Sequence, residues 1–209
     1  KKISIGKYKT KKYPEYFLNE IKPFMNEKWF QENFKEDGLI KELPEDFNKL
    51  RNEGENESYI CQLIRQDSVE EFVAYVNKNN YSLNSKIKQS IYETNSFLLK
   101  NKTPSLIEYS VFYGSIQIFR YLQFNKVDLT PSLWLYAIHG QNAEIIHILE
   151  DNHINPNEEK SFLQCLKMTI KTHSKDICSY IQNNYFNDIE SVKDILIQCF
   201  KYYNFLLIQ

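Results

Sequence analysis

Four histidines and four cysteines are the residues of this 209-residue chain best suited to metal or nucleophilic chemistry. His139, His147, His153 and His173 follow no His-Glu-x-x-His spacing, and zinc needs three or four ligands converging from recognised spacings. They are expected to be polar turn or surface residues. Cys61, Cys165, Cys178 and Cys199 contain no Cys-x-x-Cys pair, which argues against a zinc knuckle or a dithiol redox motif. Cys165, His173 and Cys178 form the only local Cys/His group. A Cys–His nucleophile would also require a third group to orient its base, so a helical enzyme or metal protein built on these three is kept as the alternative reading. Carboxylate pairs such as Glu70-Glu71, Glu150-Asp151 and Glu158-Glu159 fall at helix heads or in polar loops and are expected to be solvated charges. No Gly-rich phosphate loop and no Gly-x-Ser-x-Gly elbow occurs. No catalytic residue, metal or cofactor is therefore expected.

The charge balance narrows the partners. With 26 Lys+Arg against 27 Asp+Glu the net charge is -1, so no overall basic field gathers nucleic acid. Only Arg51, Arg65 and Arg120 supply planar guanidinium forks, and the six lysines within Lys1 to Lys12 read as a solvated tail. A composition 42% hydrophobic and 15% aromatic, with five glycines and six prolines, fits a mainly helical globular chain. No apolar run approaches the roughly 18 to 20 residues that span a bilayer, and no secretory signal pattern opens the chain. Membrane insertion is not expected; a reducing compartment is, the cytoplasm with the nucleus as the other option. Beginning at Lys1 and stopping within Phe205 to Ile208, the chain is compatible with a piece of a longer protein.

The elements that would position a surface emerge from a repeat. Glu71 to Ser82 aligns without gaps on Gln117 to Asp128, Glu144 to Asn155 and Asp176 to Asn187, at steps of 46, 27 and 32 residues. One column holds Phe72, Ile118, Ile145 and Ile177, another Asn79, Asn125, Asn152 and Asn184. Asn is 21 of 209 residues, so four aligned asparagines are not a chance of composition, and a period in this range is an architectural signal. Within each block the apolar positions i, i+1, i+3 and i+4 form one helical face, and the Asn is expected as a left-handed cap. Thr103-Pro104-Ser105-Leu106 recurs as Thr130-Pro131-Ser132-Leu133, read as a Thr N-cap with Pro at the first helical position. A preceding helix is thus expected in each unit, ending near Gly114 or Gly140. Trp134, Tyr109 and Tyr136 on these helices are expected in the core.

Two short helices cannot bury their apolar faces alone, but stacked pairs make a continuous core. The expected fold is all-α: a helical solenoid of about four stacked helix pairs over residues 58–209, with residues 1–57 as a tail and helical cap. In that N-terminal part, Tyr16 to Phe30 reads as an aromatic helix interrupted at Pro23, and Arg51 to Glu57 as a solvated linker or turn. The long step around Ser85 to Asn101 is expected to hold an irregular insertion.

Thr130-Pro131, Ala137, Gly140, Glu144-Ile145-Ile146 and Leu149 resemble the ankyrin repeat. Phe112-Tyr-Gly-Ser-Ile-Gln-Ile-Phe119, Ser132-Leu-Trp-Leu-Tyr-Ala-Ile-His-Gly140 and Ile145-Ile-His-Ile-Leu-Glu150, over about residues 58 to 205, look like the divergent ankyrin-repeat proteins expanded in trichomonad protists. The unequal steps, Leu106 and Leu133 where the family has His, and Asn125 and Asn152 for the loop glycine depart from its pattern. The resemblance implies a non-catalytic scaffold or adaptor that binds an unidentified protein partner on its concave face and loops. It points to Phe112 and Tyr113 before Gly114, Ile138 and His139 before Gly140, and Lys126 and Asp128 in the intervening loop. Phe112 and Ile138 are expected to pack inward rather than to be exposed, whereas Tyr113 and His139 are expected at the surface.

Overall fold

The computed structural model describes residues 45–101, 103–156, 159–185 and 192–205, with isolated positions between 16 and 28. The lysine tail and most of the Tyr16 to Phe30 segment lie outside the described residues. Among those described, the regular elements are all helical: α1 (Phe47–Glu53), α2 (Tyr59–Arg65), α3 (Val69–Lys78), α4 (Ser96–Asn101), α5 (Leu106–Tyr113), α6 (Ile116–Phe124), α7 (Leu133–His139), α8 (Ala143–Asp151), α9 (Glu159–Lys171), α10 (Lys175–Tyr185) and α11 (Val192–Lys201). A short 3-10 turn at Lys22–Phe24 contains Pro23. No helix among the described residues is long and apolar enough to cross a membrane.

The chain divides into two compact units, residues 1–58 with 88–103, and residues 59–87 with 104–209. In the first, Arg51 to Glu57, expected as a solvated linker or turn, ends α1 and turns the chain at Gly54 and Glu55. Arg51 lies in the last turn of α1, pairs with Glu20 and stacks over the rings of Tyr16 and Phe17 at 4.9 and 5.5 Å. Gly54 ends α1 at φ 69°, and a Cβ there would meet Thr94 Oγ1 at 2.7 Å. Thr94 also donates from its amide and its hydroxyl to the Gly54 carbonyl, and Phe47 packs edge-on against Tyr92. The segment expected as an irregular insertion supplies these Tyr92 and Thr94 contacts.

The second unit is a series of helix pairs, α2/α3, α5/α6, α7/α8 and α9/α10, followed by α11. Each of the four aligned sequence blocks lies on the second helix of a pair. First helices pack consecutively, α2 on α5, α5 on α7, α7 on α9 and α9 on α11; α3 also packs on α6. Ile118, Phe119, Leu122, Ile145, Ile146, Leu149, Cys178 and Ile181 are at most 1% exposed, which is the helical face that the block columns define. Trp134 is fully buried and its indole N–H donates to the Ile154 carbonyl at 2.6 Å; Tyr109 and Tyr136 are buried beside it in the core.

One turn ends α2, α5, α7, α9 and α11, and ends α3, α6 and α8 as well, with Asn80, Lys126 and His153 as their left-handed residues. Asp67, Gly114, Gln141, His173 and Tyr203 have φ between 49° and 67°, and each is followed by Ser68, Ser115, Asn142, Ser174 or Asn204. The amide of that Ser or Asn donates back five residues, to Leu63, Ser110, Ala137, Thr169 and Cys199 respectively. This pairing of a left-handed residue with a long backward bond closes a helix C-terminus while leaving the next helix to start at once. It also corrects the register read from glycine. Gly114 corresponds to Gln141 and not to Gly140, whose φ is -72°. Gly140 is required for another reason: a Cβ on it would lie 2.6 Å from the Val111 carbonyl oxygen and 2.8 Å from that of Phe112. The same register sets the step between the first two turns at 47, and α3, one residue longer than α6, returns it to 46 at the asparagines.

Two capping expectations are revised. Asn79, Asn125 and Asn152 have φ of -97°, -81° and -88°; the left-handed residue is the next one, Asn80, Lys126 or His153. The asparagine column persists because each side-chain amide donates to the carbonyl four residues earlier: Asn79 to Tyr75, Asn125 to Tyr121, Asn152 to Ile148 and Asn184 to Tyr180, at 2.7–2.8 Å. At the other end, Ser105 and not Thr103 caps α5. Its hydroxyl accepts from the Glu108 amide while the Glu108 carboxylate accepts from the Ser105 amide, because Pro104 is spent in the loop, where its carbonyl accepts from Ile87. Before α7, by contrast, Ser132 is itself helical and makes no side-chain cap, and the Leu133 amide donates to the Thr130 carbonyl.

Two substitutions test this register. Gly140→Ala should destabilise by about 1–3 kcal/mol through the close backbone approach, although Ala normally favours a helical position by up to about 1 kcal/mol. Ile145→Ala should cost about 2–5 kcal/mol. Urea denaturation measures both, and an Ile145→Ala midpoint equal to wild type would place that residue outside the core.

Candidate functional site

The recurring turn aligns the ends of the first helices. Two residues before each left-handed position stand Arg65, Phe112, His139, Lys171 and Lys201, and one residue before it Gln66, Tyr113, Gly140, Thr172 and Tyr202. Side chains of this series touch from one pair to the next. Arg65 donates to the Tyr109 hydroxyl at 3.1 Å and lies 5.9 Å from the Tyr113 ring centre. Tyr113 packs on Tyr109 and Phe112 at 4.8 and 5.0 Å, and Phe112 on His139 at 5.2 Å. Lys171 is exposed and acts on His139 electrostatically. The result is a strip of half-buried aromatic rings bordered by cations, running across the helix ends.

The residues singled out from the sequence separate into three groups. Tyr113 and His139 are half-buried and belong to the strip. Phe112 is 8% exposed and Ile138 fully buried, so Ile138 offers no contact surface: the corrected register makes it the equivalent of the buried Val111. Lys126 and Asp128 are exposed but follow α6, at the far end of a nine-residue helix from Tyr113. They are not brought together with the strip. Arg65 and Lys171 were missed, and the signal for them is the spacing of the Ser/Asn column, counted three residues back.

The Cys/His group does not assemble. Cys165 and Cys178 are 2% and 0% exposed while His173 is exposed at its turn. Burial pushes the Cys165 thiol up to about 12 and raises that of Cys178 as well, which keeps both protonated and poorly nucleophilic. Among the described residues no three His, Cys, Asp or Glu side chains are placed to hold a metal ion. Glu150, expected as a solvated charge, instead accepts from the Tyr180 hydroxyl at 2.8 Å, from the Tyr185 hydroxyl, and lies 3.1 Å from His147 Nδ1. Its side chain is 18% exposed. Tyr185 stacks on Phe162 at 4.2 Å, so this carboxylate is fixed between the third and fourth pairs and its lone pairs are occupied by donors.

No protein-family model, curated protein or solved structure matches this chain.

Burial, with a smaller push from Lys171, lowers His139 from 6.5 to about 4. The unfolded chain therefore binds a proton that the folded chain refuses between those values, so stability present above about pH 6.5 is lost as pH falls toward 4. Allowing for the part exposure of the ring, the expected loss is about 1–2 kcal/mol. Comparing denaturation of wild type and His139→Phe across this window measures it; parallel curves would contradict the assignment.

Proposed function

We propose that this chain is a non-catalytic protein-binding module, an ankyrin-like solenoid whose first-helix side docks another protein. The observation that carries the reading is the strip in which Arg65, the largely buried Phe112, His139 and Lys171 hold equivalent positions in consecutive helix pairs, with Tyr113 one residue further on covering Phe112. Such a series suits an extended partner, because each pair adds a contact without altering the core beneath it. Tyr113 supplies contact area at low entropic cost, and Arg65 is held by Tyr109 in advance of binding. Support for the ankyrin-like part comes from the helix pairs, their tight turns and the consecutive packing of first helices. A scaffold of this kind in a reducing compartment, the cytoplasm, accords with four free buried cysteines.

Affinity capture from the source cell with wild type and with Tyr113→Ser tests the reading. Tyr113 is half-buried at a helix end, so the variant should keep its helical circular dichroism and lose about tenfold or more of its captured partner, the effect of one aromatic anchor. Undiminished capture by a folded Tyr113→Ser chain would move the docking surface elsewhere.

A further inference from the structure

Charge is sorted between the two helix series of the second unit. The five first helices carry six Lys or Arg against three Asp or Glu, and the four second helices the reverse, three against six. Of the charges on these helices, most cations thus lie on first helices and most carboxylates on second helices, with Glu70, Glu71, Glu144 and Asp176 in the first turns of the latter. On the first-helix side the cations recur where the strip lies, at Arg65, Lys171 and Lys201. Lys171 and Lys201 are exposed and form no ion pair among the described residues, whereas Arg120 on α6 is paired with Glu144 at 2.6 Å. Basic residues in a last helical turn also complement the helix dipole, but that would apply equally to second helices, and of these only α3 has a basic residue in its last turn.

We infer that the strip takes an extended acidic peptide segment, with carboxylates meeting Arg65 at one end and Lys171 and Lys201 at the other, and an aromatic or apolar side chain seated between them on Tyr113 and His139. This rests on the docking reading above and adds the chemistry of the partner. The geometry sets the length. Arg65 and Lys171 are separated by three first-helix steps of about 8–10 Å each, so their carboxylate partners stand about eight or nine residues apart in a strand rising roughly 3.3 Å per residue. A peptide is favoured over nucleic acid because the middle of the strip offers rings and no phosphate-binding cation.

Fluorescence anisotropy with the whole chain tests this. The probe is a labelled eleven-residue peptide with a pair of glutamates at each end and Leu-Tyr-Leu at its centre, compared with versions carrying glutamine or lysine at the ends and with a single-stranded oligonucleotide of similar length. The acidic peptide should bind about tenfold or more tighter than the glutamine version at low ionic strength, and lose that advantage as salt rises. Lys171→Glu combined with Lys201→Glu should weaken it about tenfold, while Lys78→Glu combined with Lys126→Glu, the same charge change at exposed positions at the far ends of α3 and α6, should leave it unchanged. Equal binding of the glutamine peptide, still lost with Tyr113→Ser, would overturn the acidic partner and leave the docking surface standing. Tighter binding of the oligonucleotide would overturn the choice of peptide. Absence of binding by every probe would overturn the inference, while the capture experiment would still decide whether the strip docks another protein.

Discussion

Everything in the second unit hangs on how the first helix of each pair ends. A residue forced to positive φ costs about 1–2 kcal/mol when it is not glycine, and four of the five are Asp67, Gln141, His173 and Tyr203. What holds them there is the following Ser or Asn, whose amide bonds five residues back. Ser115, Ser174 and Asn204 are 2%, 7% and 3% exposed, and an amide left unsatisfied at such depth would itself cost about 1–3 kcal/mol. The side chains then link one turn to the next. Ser115 donates to the Ile64 carbonyl, Asn204 to that of Ile170, Gln141 to that of Thr172, and the Asp67 carboxylate accepts from the amides of Gln117 and Ile118. Hydrogen bonds thus run along the helix pairs at their turns, while apolar columns fill the space between.

Because the turn fixes the last residues of each first helix, it also fixes what those residues present. In the four helix pairs the residue three before the Ser or Asn is Arg65, Phe112, His139 or Lys171, while the residue four before it, Ile64, Val111, Ile138 or Ile170, is fully buried; at the end of α11 the latter position is Phe200, 62% exposed. One position of the helix is reserved for the core and its neighbour is released to vary. That division is the physical basis for reading the strip as a docking surface, and for expecting its chemistry to differ between chains built on the same turns. The sorting of charge between first and second helices follows the same division, since neither series uses its charged residues to build the core.

Much of this was legible in the sequence, for reasons that also explain the failures. The apolar columns through Ile118, Ile145 and Leu149 are set by packing, which tolerates little else, and they located the second helices correctly. The asparagines were found for the wrong reason: their side chains bond the preceding turn, and the left-handed residue is the one after. Glycine misled most. Gly114 is left-handed, but Gly140 is small because backbone approaches it, and taking the two as equivalent paired Ile138 with Phe112 among the contact candidates, whereas its equivalent is the buried Val111. Arg65 and Lys171 have no type in common with Phe112 and His139, so they align only when counted back from the Ser or Asn of the turn, a column whose meaning the turn geometry supplies. Glu150 gave no local sign at all, because the hydroxyls that bind it come from Tyr180 and Tyr185, at least 30 residues away.

Amide hydrogen exchange followed by NMR tests the turn most directly. The amides of Ser115, Asn142 and Ser174 should exchange as slowly as those inside α5, α7 and α9, because each is bonded five residues back at the junction of its helix pair and is released only when that pair opens. If these three exchange at the rate of open loops while the helices stay protected, the five-residue backward bond is not what joins the pairs, and the alignment of the strip falls with it.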